Sequence, residues 1–300
     1  MIGERLGELA ALGTACLWTG SYIFFTYAVR RIGADVLNRL RLLIALVCLI
    51  VVHWAVVGTP VPTDAPADAW LWLMLSGVVG FAISDAFLFR ALYHLGPHRT
   101  SLVTSMIPIS SALLAWVFFG ERLMGLQWLA GSVAVCGIIL VVSARRTDRN
   151  AVASRRTGLG VLFAVGTVMT QSARYLLSVQ GMNTGVPVLS TNVIQILAAT
   201  VAAWAVAIPV RQTGATLRAL GDVRAAVSTT AGAVVGPFLG VTLSLVALSA
   251  APIGVASTLM AMVPILLLPF SRLLFGERIT VRTAVGTALA VGGVAGLLLS

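Results

Sequence analysis

Ten long apolar runs follow one another along the 300-residue chain: Leu9–Ala28, Leu40–Val57, Ala69–Tyr93, Ser101–Phe119, Leu126–Val142, Gly158–Val179, Val188–Ile208, Ala225–Ala250, Ile253–Phe275 and Val281–Leu299. A bilayer span needs about 20 apolar residues. Backbone in lipid must satisfy its own hydrogen bonds, which leaves helices and closed barrels. The runs lack the period-two alternation of barrel strands, so they read as helices, numbered here as spans 1 to 10. Only 10% of the residues are charged, against about a quarter in a soluble domain. A water-soluble enzyme and a disordered chain are both excluded. The segment Met1–Ala11 carries Glu4 and Glu8, and the run behind it is long enough to remain in the membrane, so a cleaved signal peptide is not expected.

The net charge is +10, and every basic residue is arginine. In a chain this apolar, the excess reports loops held at the cytoplasmic face rather than nucleic-acid binding. Cys16, Cys48 and Cys136 all fall in apolar runs, as buried thiols do, and give no disulfide or metal framework. His53, His94 and His98 lack the spacing of a metal site. No glycine-rich phosphate loop follows a strand, so ATP drive is unsupported. No cofactor is expected.

The two halves repeat. A shift of 156 places Ser101, Met106, Pro108 and Ile109 on Ser257, Met262, Pro264 and Ile265, and Phe119-Gly120-Glu121-Arg122 on Phe275-Gly276-Glu277-Arg278. The same shift carries Gly80 to Gly236 and Gly137 to Gly293; a shift of 154 carries Asn38 to Asn192, and one of 151 carries Thr19 and Ser21 to Thr170 and Ser172. The polar link Ser143–Thr157 separates the halves, giving repeats over 8–143 and 158–299. Five spans per repeat is an odd number, so the second repeat enters the membrane from the opposite side. The expected fold is an all-α integral membrane protein: ten transmembrane helices as two inverted five-helix repeats. This is an architecture of secondary transporters.

The run Val255-Ala256-Ser257-Thr258-Leu259, then Pro264, then Leu274-Phe275-Gly276-Glu277-Arg278-Ile279, resembles the drug/metabolite transporter superfamily, EamA type. So do Leu17-Trp18, Gly20-Ser21 and Asn38-Arg39. The resemblance covers about residues 8 to 299. It implies a ten-helix carrier of small metabolites, often moving them outward, with both termini cytoplasmic. The charge count implies the reverse orientation. Loops following odd-numbered spans, with their flanks, hold 17 of the 20 arginines, and positive-inside places those loops in the cytoplasm. Either way the protein is expected in the plasma (inner) membrane as a multi-pass chain. Its partners are then the lipid bilayer and a small-molecule substrate, not nucleic acid. A monomer suffices, and a homodimer is compatible.

Small residues recur every fourth position in span 3 (Ser76, Gly80, Ser84) and at the matching places in span 8 (Gly232, Gly236, Gly240). Such stripes allow close helix approach, as does Gly292 with Gly296 in span 10. Pro108 and Pro264 are expected as mid-span kinks and candidate hinges. Glu121-Arg122 and Glu277-Arg278 read as interfacial pairs at helix ends. Ionisable groups inside spans are costly and usually functional. Arg174, with Gln171, Ser172 and Tyr175 around it in span 6, is the candidate for holding an anionic substrate group, since guanidinium grips carboxylate bidentately. Asp85 in span 3 is the candidate proton carrier; the structural alternative pairs it with Arg174 or Arg90. Trp18, Ser21 and Tyr22 in span 1, Asn38 at the start of span 2, and Asn192 and Gln195 in span 7 complete the candidate substrate site, with helix-to-helix bonding as the alternative role. The substrate expected on these grounds is a small amphipathic metabolite such as an amino acid. The competing class is a lipid-carrier flippase or a membrane-embedded enzyme acting on lipid head groups, with arginine-rich loops holding the head groups.

Overall fold

A glycine at a left-handed backbone angle turns the first helix directly into the second: Gly33 has φ 79° between α1 (Ile2–Ile32) and α2 (Ala34–Val57), a conformation costly for any residue with a Cβ. The computed structural model describes residues 2–107, 109–110, 113–114, 117, 125–142, 151–209, 211–250, 259–260, 262–276 and 280–299. Span 3 is α3 (Ala67–Gly77), a π-helical turn (Val78–Ser84) and α4 (Asp85–Leu95). Span 4 opens as α5 (Pro97–Thr104), and span 5 is α6 (Gly125–Val142). Span 6 is α7 (Ala151–Met182), longer at its start than the apolar pattern implies; span 7 is α8 (Val188–Ala207). A short α9 (Thr213–Ala219) precedes span 8, which is α10 (Val223–Ala233), a second π-helical turn (Val234–Gly240) and α11 (Val241–Ala250). Spans 9 and 10 are α12 (Val263–Phe275) and α13 (Val281–Leu299).

Among the described residues, five helical segments are long and apolar enough to cross a bilayer alone: Leu6–Ile32, Ala34–Val57, Ala67–Leu95, Val188–Ala207 and Val223–Ser244. Trp128–Val141, Val263–Phe275 and Val281–Gly296 are shorter apolar helices. The outer surface suits lipid. Leu43, Val47, Val51 and Trp54 form an exposed ladder down α2, a patch that would be anomalous in water.

The packing carries the internal symmetry. Span 1 lies along span 8 and span 6 along span 3, while span 2 packs on 7, span 4 on 9 and span 5 on 10. Exchanging the two repeats maps this set of contacts onto itself. The π-turns obey the same rule: adding 156 to 78–84 gives 234–240. No periodicity signalled them. The helix break is also repeated. Span 4 turns at Ser105-Met106 and span 9 at Met262, the shifted position. Pro264 therefore sits in the first turn of α12 rather than kinking a continuous helix; proline is tolerated there because the first N–H groups have no helical partner. Pro108 and the Glu121-Arg122 and Glu277-Arg278 pairs lie outside the described residues.

Spans 5 and 10 approach closely through glycine. Gly137 faces the Gly286 carbonyl and the Ala290 nitrogen, and Gly293 faces the Ala130 carbonyl. The shift of 156 relates 137 to 293 and 130 to 286, so it turns the contact 137/286 into the contact 293/130, and this packing is its own symmetry mate. The expected stripe at Gly292 and Gly296 is displaced: a Cβ at Gly292 meets open space, and one at Gly296 would come 3.3 Å from the Ala130 methyl. At the span 1–span 8 crossing, a Cβ at Gly236 would fall on Ser21 Oγ, and one at Gly240 would lie 2.7 Å from the Trp18 ring. Gly236→Leu should therefore force the two spans apart, at a cost of at least about 1–3 kcal/mol, and lower membrane yield. Leu43→Ala on the lipid-facing ladder should do little. Yield and size-exclusion profile measure both; equal tolerance would remove the close-packing argument.

Candidate functional site

A π-turn carries one residue more than an α-turn and leaves carbonyls free for other donors. At the first π-turn those carbonyls are taken by α2. Asn38 Nδ2 donates to the Ala82 carbonyl at 2.8 Å, and Arg41 Nη2 donates to the Phe81 carbonyl at 2.9 Å. Arg41 also forms a buried ion pair with Asp85, the first residue of α4. Its Nε and Nη2 donate to Asn38 Oδ1 at 3.1 and 3.0 Å, and its guanidinium lies 5.2 Å from the centre of the Phe89 ring. Arg41 is 2% exposed and Asp85 6%. Thus Asp85 pairs with neither of the arginines considered from sequence. Arg90 instead reaches Asp35 at 2.6 Å. The apolar run begins at Leu40, but α2 begins six residues earlier, at Ala34, so Arg41 lies inside the bundle rather than at a loop flank.

Arg174 on α7 is half-buried and differently placed. Its Nε donates to Gln171 Oε1 at 2.7 Å. Its guanidinium lies over two rings, 4.9 Å from the centre of Phe81 and 4.6 Å from that of Tyr175. Its aliphatic stem runs directly against Gly80, where a Cβ would collide with it. Among the described residues, no acid stands within ion-pair distance of it. Phe81 thus links the two arginines: its carbonyl is held by Arg41 and its ring supports Arg174.

Several other polar candidates are engaged with the protein. Ser21 donates to the Gly232 carbonyl and Ser172 to the Ile107 carbonyl, each at 3.3 Å. Gln195 donates to Ser76 and Ser178 at 3.2 and 2.8 Å, tying spans 3, 6 and 7. The Tyr22 hydroxyl meets Thr104 Oγ1 at 2.9 Å, and Trp18 packs with Ala15, Val263 and Leu267. These bonds fit the helix-to-helix role. Asn192 differs: it is 7% exposed and makes no hydrogen bond to the described residues. The His98 Nδ1 lies 3.2 Å from the Pro264 carbonyl, joining span 4 to the break in span 9.

One face of the bundle is closed by polar ties. Arg31 bonds Asp222 at 2.8 Å, Arg90 bonds Asp35, and Arg30 lies 5.0 Å over the Phe275 ring. These residues cap the ends of spans 1, 3 and 9 and the starts of 2 and 8, the arginine-rich side. The Arg31 side chain holds the Asp222 carboxyl below its ordinary range, helped by the Ala225 amide. A depressed carboxyl stabilises the folded form at neutral pH and loses that contribution as acid protonates it. Phe25 meets Phe89 edge to face at 5.2 Å on this side, and α4 packs on both α1 and α2. The symmetry-related helices on the other side, α11 with α7 and α8, make no comparable contact among the described residues. No cluster of three His, Cys, Asp or Glu able to hold a metal occurs among the described residues.

Two inverted repeats meeting at matched π-turns, with charged groups buried at one of them, form a carrier-like core. The profile of the EamA-like transporter family matches the chain twice, over residues 5–143 and 158–299. The chain belongs to this family. It is a multi-pass membrane transporter. A probable transport protein of Saccharomyces cerevisiae is 28% identical over 94 residues, 31% of this chain and 26% of that protein. An uncharacterized transporter from the cobO 3′ region of a Sinorhizobium species is 28% identical over 132 residues, 44% of this chain and 92% of its own length. The chain thus spans about a quarter of the yeast relative and nearly all of the bacterial one. A solved crystal structure matches with TM-score 0.67 at 18% identity, covering 99% of this chain and 97% of that one; at this identity the likeness speaks for the fold.

Proposed function

We propose that this EamA-family protein is a secondary carrier that exports small amphipathic metabolites, such as amino acids, across the inner membrane by alternating access. The observation that carries the reading is Arg174. Among the described residues, this half-buried guanidinium stacked on Phe81 and Tyr175 has a neutral hydrogen-bond partner, Gln171, and no acid within ion-pair distance. Its remaining N–H groups suit a carboxylate, and the two rings suit an apolar body beside it. Asp85 is the proposed proton carrier. A protonated Asp85 no longer neutralises Arg41, so proton uptake and the state of the first π-turn are coupled. Tyr22 and Trp18 are proposed to line the path rather than to grip the charge.

The test is flux in proteoliposomes against a panel of amino acids, their decarboxylated amines and their amides, with and without an imposed proton gradient. Selective movement of the carboxylated members, enhanced by the gradient, is the expected result. Lipid scrambling without metabolite flux would favour a flippase instead.

A further inference from the structure

The two π-turns are equivalent in sequence register but not in their contacts. At the first, Asn38 and Arg41 of span 2 hold the Ala82 and Phe81 carbonyls. The symmetry-related carbonyls are those of Phe238 and Pro237, and the residues standing where Asn38 and Arg41 stand are Asn192 and Gln195 of span 7. There the bonds are not made. The Phe238 carbonyl accepts from its own helix, from Thr242 Oγ1 at 2.6 Å. Gln195 is turned to Ser76 and Ser178. Asn192, 7% exposed, makes no side-chain hydrogen bond among the described residues and is left over. The helices follow the same asymmetry: α4 is packed on α1 and α2, whereas α11 makes no comparable contact with α7 or α8 among the described residues.

We propose that Asn38 and Asn192 are the two halves of one latch, made alternately. In the present state Asn38 holds the first π-turn and the arginine-rich face is shut. In the opposite-facing state the second repeat takes the conformation now seen in the first. Asn192 then donates to the Phe238 carbonyl, α11 closes on α8, and Asn38 is released. Both asparagines are positioning residues: they set which repeat is closed, and they act on substrate only through the π-turns. The inference rests on alternating access as read above. The chemistry needs little rearrangement, because a carbonyl has two lone pairs and Phe238 can accept from Asn192 while keeping Thr242.

The experiment is a pair of spin-label distances, measured without substrate in nanodiscs, on a background with Cys16, Cys48 and Cys136 replaced. Labels at Tyr27 and Tyr93 report the arginine-rich face, and labels at Met182 and Val246 report the other. Losing one hydrogen bond of about 1 kcal/mol shifts a two-state ratio about fivefold. Asn38→Ala, which removes the bond to the Ala82 carbonyl and also the acceptor of Arg41 Nε and Nη2, should shift the population at least about fivefold toward the state closed at Met182–Val246. Asn192→Ala should shift it about fivefold the other way without lowering thermal stability, since it breaks no bond in the present state. The double variant should move back toward the wild-type ratio from the Asn38→Ala value. If Asn38→Ala misfolds, Asn192→Ala and Asn192→Asp, which loses the donor and keeps the shape, carry the test alone. A substrate-contact role for Asn192 would leave these substrate-free distances unmoved, and a purely structural role would lower stability; either result overturns the latch. If wild-type protein exchanges between two states but the variants shift it in the same direction, the latch fails and alternating access stands. If the wild type shows a single arrangement even with substrate added, both fail.

Discussion

Arg41→Ala should destabilise the protein by about 3–5 kcal/mol, and Asp85→Ala by a similar amount. Each leaves an uncompensated charge where the other residue was neutralised, and that is the range for breaking a buried pair. Both groups are almost fully enclosed, so water cannot take the place of the lost partner. The double variant Arg41→Met/Asp85→Leu should recover much of the loss, because no lone charge remains and the volume stays filled. The recovery will be incomplete. Arg41 also holds the Phe81 carbonyl and Asn38, and a methionine leaves both without that donor. Chemical unfolding in mixed micelles, run on the wild type, two single variants and the double variant, gives the coupling energy directly. Additive losses would mean that the pair is not the unit described. The same double variant should fold yet lose gradient-driven flux if Asp85 carries the proton.

The pair was only half legible in the sequence, and the reason is physical. Hydropathy finds where lipid must be faced, so the spans and the repeat stood out. It does not find where a helix begins. Gly33 starts α2 well before the apolar run, and Arg41 lies inside the bundle while reading as the edge of a loop. Two signals pointed to it. Arg41 is three residues after Asn38, on the same helical face. Asp85 also needed a cation, because an unpaired carboxylate in a span is costly. The stripe of small residues was legible because close approach leaves a compositional trace: Gly80 meets the Arg174 stem and Gly236 meets Ser21. The π-turns left none. Val78–Ser84 and Val234–Gly240 share Val-Val-Gly and differ at the other four places; the extra residue shows only in three dimensions. Hydroxyl and amide groups were the least legible. Ser21 and Asn38 suit a substrate site by type, and only their partners, the Gly232 and Ala82 carbonyls, reveal helix-to-helix bonding.

Arg174 is the opposite case, and its replacement should have the largest effect on transport with the smallest on the fold. Among the described residues, its side chain makes one hydrogen bond, to Gln171, and stacks on Phe81 and Tyr175. A cation over a ring contributes about 0.5–2 kcal/mol, and alanine avoids the desolvation that a half-buried guanidinium suffers, so Arg174→Ala should change stability by about 1 kcal/mol or less. Transport should respond differently. If a substrate carboxylate is the missing counter-charge, truncation removes a charge-assisted pair with an expected cost of about 2–5 kcal/mol, or roughly 30-fold to several-thousand-fold in affinity. Arg174→Lys should recover little, because an ammonium cannot form the bidentate fork or stack between Phe81 and Tyr175. Substrate analogues in which an amide replaces the carboxylate should be transported poorly by the wild type and no worse by Arg174→Ala. This pattern separates a binding role from a structural one, since a structural loss would fall equally on every substrate. Initial-rate flux for the carboxylate and amide forms, beside unfolding midpoints for the three proteins, measures it. Unchanged carboxylate flux in a stable Arg174→Ala protein would move the anion site away from α7 altogether.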